Sequence, residues 1–220
     1  KYYASEEYIS HSDSKKGIVN SIYHEIRKFS LKNKIKLINR LNNQFKGKLL
    51  DIGCGTGYFL DAAGNNNWEI EGFEPDNDAR KIANEKLNNK IVSSLNDIKG
   101  NNFDIITLWH VLEHIHDINS AILKIKELLS DKGKIIIAVP NIESWDSKHY
   151  KEKWAALDVP RHLYHFSKKT LTQYLEKYDL EVDEILPMKY DSYYVSIMSE
   201  KYIGKGLGIK EFVSGLIIGA

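Results

Sequence analysis

Short apolar runs alternate along the chain with stretches in which apolar residues recur every third or fourth position. The runs at Leu49–Ile52, Trp68–Phe73, Phe103–Trp109 (FDIITLW) and Lys134–Val139 (KIIIAV) read as buried strands, with a weaker one at Ile91-Val92. Between them the spacing predicts helices: a short one ending near Gly64, one capped by Asp76 and running to Leu87, and one capped by Asp117 and running to Leu129. In the last of these, Ile118, Ile122, Ile125 and Leu129 form an apolar stripe, and the turn Asp131-Lys132-Gly133 is expected to end it. Before the first strand, Ile18, Ile22, Ile26 and Phe29 predict one helix, and Ile35, Ile38 and Leu41 predict a second over Lys34–Leu41. After Pro140-Asn141 comes a long connection, 142–166, rich in Trp, His and Arg. Ser167 then caps a helix carrying Leu171, Tyr174, Leu175 and Tyr178, and Leu180–Leu186 (LEVDEIL) alternates as a strand does. From Tyr193 the chain turns apolar with interspersed glycines and ends SGLIIGA, which predicts a helical cap or truncated tail too short to span a bilayer.

Strands alternating with helices imply right-handed crossovers and an α/β fold: a doubly wound, mostly parallel sheet with N-terminal helices and a helical C-terminal tail. The expected division is an N-terminal lid with helices over 1–46, a core over 47–190 and a cap or tail over 191–220. Residues 1–17 are polar and tyrosine-rich, and read as a short lid or a flexible terminus. A formal net charge of +1, with lysines scattered among acids, gives no argument for nucleic acid as a partner. Cys54 is the lone cysteine, so no intramolecular disulfide forms and a reducing cytoplasm fits. No signal pattern or run of spanning length is evident, so stable membrane insertion is not expected.

The candidate chemistry centres on LLDIGCGTGYFL, Leu49–Leu60. Gly53, Gly55 and Gly57 at alternate positions make a tight turn between a strand and a helix start, where backbone N–H groups stand free to meet a polar ligand. The third glycine comes one residue too early for a dinucleotide fingerprint, and the P-loop's Gly-Lys-Ser/Thr ending is absent. In an open parallel sheet, ligands bind beyond the carboxyl ends of the strands. There Glu74 can accept hydrogen bonds from both hydroxyls of a ribose, Asp51 can hold loop N–H groups or face a ligand's ammonium, and Ser94 and Leu95 can meet an adenine edge. Trp109–Asp117 (WHVLEHIHD) puts His110 at the end of a buried strand, with His114 four residues on. Glu113 and His116 invite a metal reading, but no HExxH pattern or four-ligand spacing completes it, and no metal is expected. In Trp154–Ser167 (WAALDVPRHLYHFS), Arg161 can clamp a phosphate or carboxylate, His162 can take a proton, and His165 stands beside them; tying the loop to the sheet is an equally good account of all three.

The order LLDIGCGTG, the strand ending at Glu74, FDIITLWHVLEHIHD and LLSDKGKIIIAVPN resembles the class I S-adenosylmethionine-dependent methyltransferases over about Gly47–Asn141, a Rossmann-like fold. Glu113, His114 and Asp117 look like the branch containing the ubiquinone-type O-methyltransferases, and Pro160–Ser167 resembles a bacterial subgroup called methyltransferase type 11, 12 or 23. The resemblance implies that Asp51, Gly53, Cys54, Gly55 and Gly57 form the cofactor loop, that Glu74 is the ribose acid, and that Trp109 and His110 lie beside the reacting sulfonium. The family's Pro-Gly-Gly before the fifth strand is replaced here by Asp131-Lys132-Gly133, and its seventh, antiparallel strand is not evident in 190–220. The expected activity is methyl transfer to a small-molecule acceptor, a hydroxyl of a sugar, quinone precursor or other metabolite, with S-adenosylhomocysteine as product. His110 or His162 would serve as base, and Tyr8, Arg161 and His165 would line the acceptor side. A non-catalytic cofactor-binding regulatory or assembly protein is the alternative.

Overall fold

The computed structural model describes residues 18–204. Tyr8 with the rest of the N-terminal lid, and the SGLIIGA tail, lie outside the described residues. By compactness the chain divides into two units, Lys1–Ala138 and Val139–Ala220.

The first unit opens with α1 (Ile18–Leu41), followed by β1 (Lys48–Ile52), α2 (Tyr58–Gly64), β2 (Glu69–Phe73), α3 (Asn77–Leu87), β3 (Ile91–Val92), β4 (Phe103–Trp109), α4 (Ile118–Leu128) and β5 (Leu129–Ala138). The strands form one parallel sheet in the order β3-β2-β1-β4-β5. The chain winds outward from β1 to β3, then returns to start again at β4, so the topological switch point falls between β1 and β4. Leu49, Leu50 and Ile52 of β1 and Ile105, Ile106 and Leu108 of β4 are fully buried. Helices cover both faces of such strands, which is why these runs are continuously apolar rather than alternating. Each such side chain contributes about 1.5–3 kcal/mol on burial.

The helix boundaries follow local chemistry. Asp76 caps α3 by accepting from Ala79 N, and Asp117 caps α4 by accepting from Ser120 N. Asn88, in the left-handed region, ends α3. The two expected N-terminal helices are instead one, α1. Ser30 to Asn33 contains no glycine or proline, and weak helix formers cost only about 0.7 kcal/mol each, so the helix runs through. Ile35 and Ile38 bury against the sheet as expected, whereas Phe29, expected on the apolar stripe, is half exposed. Asn39 Oδ1 accepts from the Trp68 indole N–H at 2.9 Å, tying α1 to the edge of β2.

Asp131-Lys132-Gly133 does not terminate α4. The helix stops at Leu128, Leu129 is already extended, and the three residues belong to β5. There the ladder is irregular: Phe103 pairs with Leu129, but Ile105 pairs with Lys134. A Cβ on Gly133 would lie 2.7 Å from the Phe103 carbonyl, so the close approach in this bulge needs glycine.

The second unit carries α5 (Trp145–Tyr150), α6 (Lys168–Glu176) and α7 (Lys189–Gly204). Ser167 caps α6 in a reciprocal box with Thr170. The long connection is not loose. Tyr150, Trp154 and Ala156 bury together, the Trp154 indole N–H donates to Asp146 Oδ2 at 2.9 Å, and Ser199 Oγ of α7 accepts from Ala155 N at 2.8 Å. The Tyr150 hydroxyl donates to Glu200 Oε1 at 3.0 Å. Leu180–Leu186, expected as a strand, joins no strand among the described residues and is coil, with Val182, Ile185 and Leu186 exposed. A strand is stabilised by a lateral partner, so alternation without one does not make a strand. α7 places a helix where the apolar C-terminal stretch predicted one. Among the described residues no helix is long and apolar enough to cross a membrane.

Candidate functional site

The sheet register builds the site. Asp51 pairs with Gly72 on one side and Thr107 on the other, and Ile52 pairs with Phe73. Glu74 therefore leaves β2 level with the glycine loop leaving β1. The N–H groups of Gly53 and Cys54 both donate to the Phe73 carbonyl, at 2.8 and 3.1 Å, which folds the loop over the end of β2. Gly53, Gly55 and Gly57 all take left-handed backbone, with φ of 68°, 55° and 79°. Their surroundings differ. A Cβ on Gly53 would strike Val111, and one on Gly57 would strike Leu87, whereas one on Gly55 would meet nothing within 4 Å. The turn is packed at both ends and open at its middle.

The Glu74 carboxylate clasps this loop. One oxygen accepts from Gly55 N at 2.7 Å and the other from Asp76 N at 2.9 Å. Burial raises its pKa, and the two amides oppose that rise by favouring the anion. Arg80 braces the same turn from α3, donating to the carbonyls of Glu74 at 2.7 Å and Pro75 at 3.0 Å, and to Asn77 Oδ1. Lys86, also on α3, donates to the Thr56 carbonyl at 3.2 Å and stands 3.6 Å over the Tyr58 ring.

Asp51 is buried at the centre, and Thr107 Oγ1 donates to its Oδ1 at 2.6 Å. Burial pushes its pKa up to about 7, although the Thr107 hydrogen bond and the positive charge of Lys34 pull the other way. The Cys54 side chain packs against the core, its Sγ 3.9 Å from the Gly55 carbonyl, and burial holds its thiol well above the usual range. Trp109, the last residue of β4, meets Phe59 edge to face at 5.5 Å and lies under Lys34 Nζ, 4.2 Å from the ring centroid. Its indole N–H is buried without an acceptor. Ser94 is half-buried beyond β3 and caps a short turn, Leu95–Asp97, by accepting from Asn96 N.

His110 follows β4 in left-handed backbone, φ 57°, while its N–H still donates to the Ala138 carbonyl at 2.9 Å. The ladder holds the backbone as the chain reverses. Its Nδ1 lies 3.6 Å from Oε1 of the buried Glu113. The first unit thus brings together Asp51, the three glycines, Glu74, Trp109 and His110 at the carboxyl end of the sheet.

The remaining predicted residues lie in the second unit and share one loop. Arg161 grips Asp158 Oδ1 through Nε at 3.0 Å and Nη2 at 2.6 Å. His162 Nδ1 meets the Ala156 carbonyl at 2.8 Å, and His165 Nε2 meets the Leu157 carbonyl at 2.9 Å. A carbonyl only accepts, so each of these ring nitrogens carries a proton. His162 Nε2 lies 3.8 Å from Asp158 Oδ2. These hydrogen bonds run within the loop itself, to Asp158, Ala156 and Leu157, rather than to the sheet. Lys34, Thr107, Arg80 and Lys86 were not foreseen in the sequence. Thr107 alone left a signal, a polar residue inside the apolar run FDIITLW opposite Asp51.

The model of a methyltransferase-domain family, Methyltransf_23, matches residues 23–185. An uncharacterized methyltransferase of Staphylococcus carnosus is 27% identical over 143 residues, covering 63% of this chain and 68% of that protein. A ubiquinone biosynthesis O-methyltransferase of Idiomarina loihiensis is 25% identical over 118 residues, covering 49% of each. The match therefore spans about two thirds of the first relative and half of the second. Among solved structures, the magnesium protoporphyrin IX methyltransferase of Synechocystis PCC 6803, with bound S-adenosylhomocysteine, shares the fold at a TM-score of 0.61 and 14% identity, covering 79% of this chain and 82% of that one. A methyltransferase of Archaeoglobus fulgidus matches at 0.52 and 22% identity, covering 67% of each chain. With an open glycine turn, a strand-end carboxylate clasping it and a parallel sheet beneath, the chain belongs to the Methyltransf_23 methyltransferase-domain family, of the S-adenosylmethionine-dependent class.

Proposed function

We propose that the chain transfers a methyl group from S-adenosylmethionine to a hydroxyl of a small-molecule acceptor, a sugar, quinone precursor or other metabolite. The observation that carries this reading is the Glu74 carboxylate bonded to Gly55 N at 2.7 Å, beside the one glycine whose Cβ position is open. An ionised carboxylate has about four lone-pair sites. The amides of Gly55 and Asp76 take two, which leaves two for the paired hydroxyls of a ribose. Gly55 lets the nucleoside lie against the backbone, and Ser94 stands past β3 for the adenine edge. When bound, S-adenosylmethionine supplies an electrophilic methyl on a positively charged sulfur. The residues of this chain then orient, exclude water and handle a proton. Positioning alone is worth about 7–11 kcal/mol.

His110 is the favoured base. Its backbone is held in a sparsely populated conformation at the end of β4, and a buried carboxylate stands 3.6 Å from Nδ1 to stabilise the imidazolium formed when Nε2 takes the acceptor's proton. His162, with Nδ1 anchored on the Ala156 carbonyl, is the second candidate. Arg161 and His165 act on the acceptor through the loop they brace. The ubiquinone biosynthesis relative supports a hydroxyl acceptor.

The test is calorimetric titration with S-adenosylhomocysteine, followed by incubation with S-adenosylmethionine and candidate acceptors, measuring S-adenosylhomocysteine formed. Micromolar binding weakened at least tenfold by Glu74→Ala, with acceptor-dependent turnover, is expected. A folded protein that binds no S-adenosylhomocysteine would refute the reading. Binding with no turnover across hydroxyl acceptors would leave a cofactor-binding protein of another purpose.

A further inference from the structure

Arg80 lies near the start of α3, and its guanidinium reaches back over the turn that leaves β2. Nη1 donates to three consecutive carbonyls, those of Glu74 at 2.7 Å, Pro75 at 3.0 Å and Asp76 at 3.4 Å, and Nη2 donates to Asn77 Oδ1. Three carbonyl dipoles that converge on one point repel one another, and a cation placed there holds them together through charge-assisted hydrogen bonds. With its carbonyls turned to α3, the turn leaves the Asp76 N–H facing the Glu74 carboxylate, where it donates to Oε1 at 2.9 Å. Gly55 N holds the other oxygen at 2.7 Å, and the Glu74 N–H is held by the Val92 carbonyl at 3.0 Å. The direction of the carboxylate therefore follows the shape of the turn that Arg80 grips. Burial raises the Glu74 pKa, and the charge of Arg80 works against that rise, so the same guanidinium also favours the anion. Farther along the helix, Lys86 donates to the Thr56 carbonyl of the glycine turn at 3.2 Å. One helix thus sets a cation against each of the two turns that face the ligand.

We infer that Arg80 is a positioning residue for ribose recognition: by gripping the Glu74-Pro75-Asp76 turn it aims the Glu74 carboxylate at the two ribose hydroxyls, and so sets the preference for a ribonucleoside ligand over its deoxy counterpart. This rests on the cofactor reading above. A guanidinium suits the task because it is always charged and its rigid fork of donors spans several acceptors at once, whereas an ammonium is a point charge on a flexible stem. The inference gives α3 a part in ligand selection besides covering the sheet, although Arg80 acts through Glu74 and the turn.

The experiment titrates wild type, Arg80→Gln and Arg80→Lys calorimetrically with two probes: S-adenosylhomocysteine, and its 2′,3′-dideoxy analogue, which keeps the adenine, thioether and amino acid. A hydrogen bond to a charged group corresponds to about tenfold to a hundredfold in affinity, so wild type should prefer S-adenosylhomocysteine by at least that lower factor. Arg80→Gln should bind the dideoxy analogue within about twofold of wild type while its preference falls to about threefold or less. Arg80→Lys, which keeps the charge and loses the fork, should show a preference between the two. Binding of the analogue reports that a variant is folded, and a residue that merely supported the fold would weaken both probes together. If Arg80→Gln does not fold, the decision falls to Arg80→Lys, in which a wild-type preference would overturn the inference. If Arg80→Gln weakens both probes equally, or neither, the inference is overturned while the cofactor reading stands. If wild type binds both probes alike, Glu74 does not read the ribose and the inference falls. If it binds neither, the cofactor reading fails and the inference fails with it.

Discussion

Gly55 and Gly57 sit two residues apart in one turn, share left-handed backbone, and should respond to alanine in opposite ways. At Gly57, φ is 79°, and a new Cβ would lie 2.8 Å from Leu87 Cδ1 and 3.2 Å from Ala83 Cβ, both on α3. Left-handed backbone costs a residue with a Cβ about 1–2 kcal/mol. Overpacking a well-filled contact costs about 1–3 kcal/mol more. Gly57→Ala should therefore destabilise the chain by about 2–5 kcal/mol, a large share of the 5–15 kcal/mol typical of a domain. At Gly55, φ is 55° and the Cβ would meet nothing, so only the backbone cost of about 1–2 kcal/mol applies. The same methyl, however, would stand where the nucleoside is to lie against the turn, beside Glu74. Gly55→Ala should keep most of the stability and lose S-adenosylhomocysteine binding by at least tenfold. Urea unfolding measures the first quantity and calorimetric titration the second. Equal stability losses in the two variants, or wild-type affinity in Gly55→Ala, would refute the assignment of Gly57 to packing and Gly55 to the ligand.

Asp51 gives a pH dependence. Burial lifts it to about 7 in the folded chain, against about 3.9 unfolded. Between those values the folded chain holds a proton the unfolded chain has released. The group therefore lowers stability as pH rises, by at most about 1.4 kcal/mol per pH unit, and adds no slope above about pH 7. Urea unfolding from pH 5 to pH 8 should show this component vanish in Asp51→Asn, and an unchanged profile would refute it. Trp154→Phe removes the donor to Asp146 in the buried cluster of the second unit and should cost about 1–3 kcal/mol, read as a fall in urea midpoint; no change would show that the bond contributes nothing. Val182→Ser removes an exposed side chain and should change stability by no more than about 0.5 kcal/mol, and a larger loss by the same measurement would mean that this side chain is packed.

The fold was legible where local pattern and tertiary environment agree. The run FDIITLW became β4 with the expected ends, because a continuous apolar stretch of that length has a stable place only inside a covered parallel sheet. Asp76, Asp117 and Ser167 cap the helices they were expected to cap, since a cap is satisfied within four residues. Pattern failed where the outcome depends on something distant. Leu180–Leu186 alternates like a strand and is exposed coil. Asp131-Lys132-Gly133 has turn chemistry but bulges within β5, because β4 continues to pair on either side of it.

By itself, the sequence determined the glycine turn, the acid that follows β2 and the winding of the sheet, because spacing along one chain specifies each. Only the tertiary structure decided which glycine is open and which is packed. Gly57 is closed by Leu87 and Ala83, and Gly55 faces open space, although the motif writes them alike. It also decided that Arg161, His162 and His165 spend hydrogen bonds on their own loop, and that Lys34 stands over Trp109. Such contacts join residues far apart in sequence, and burial and charge take their values only once the chain has brought those residues together.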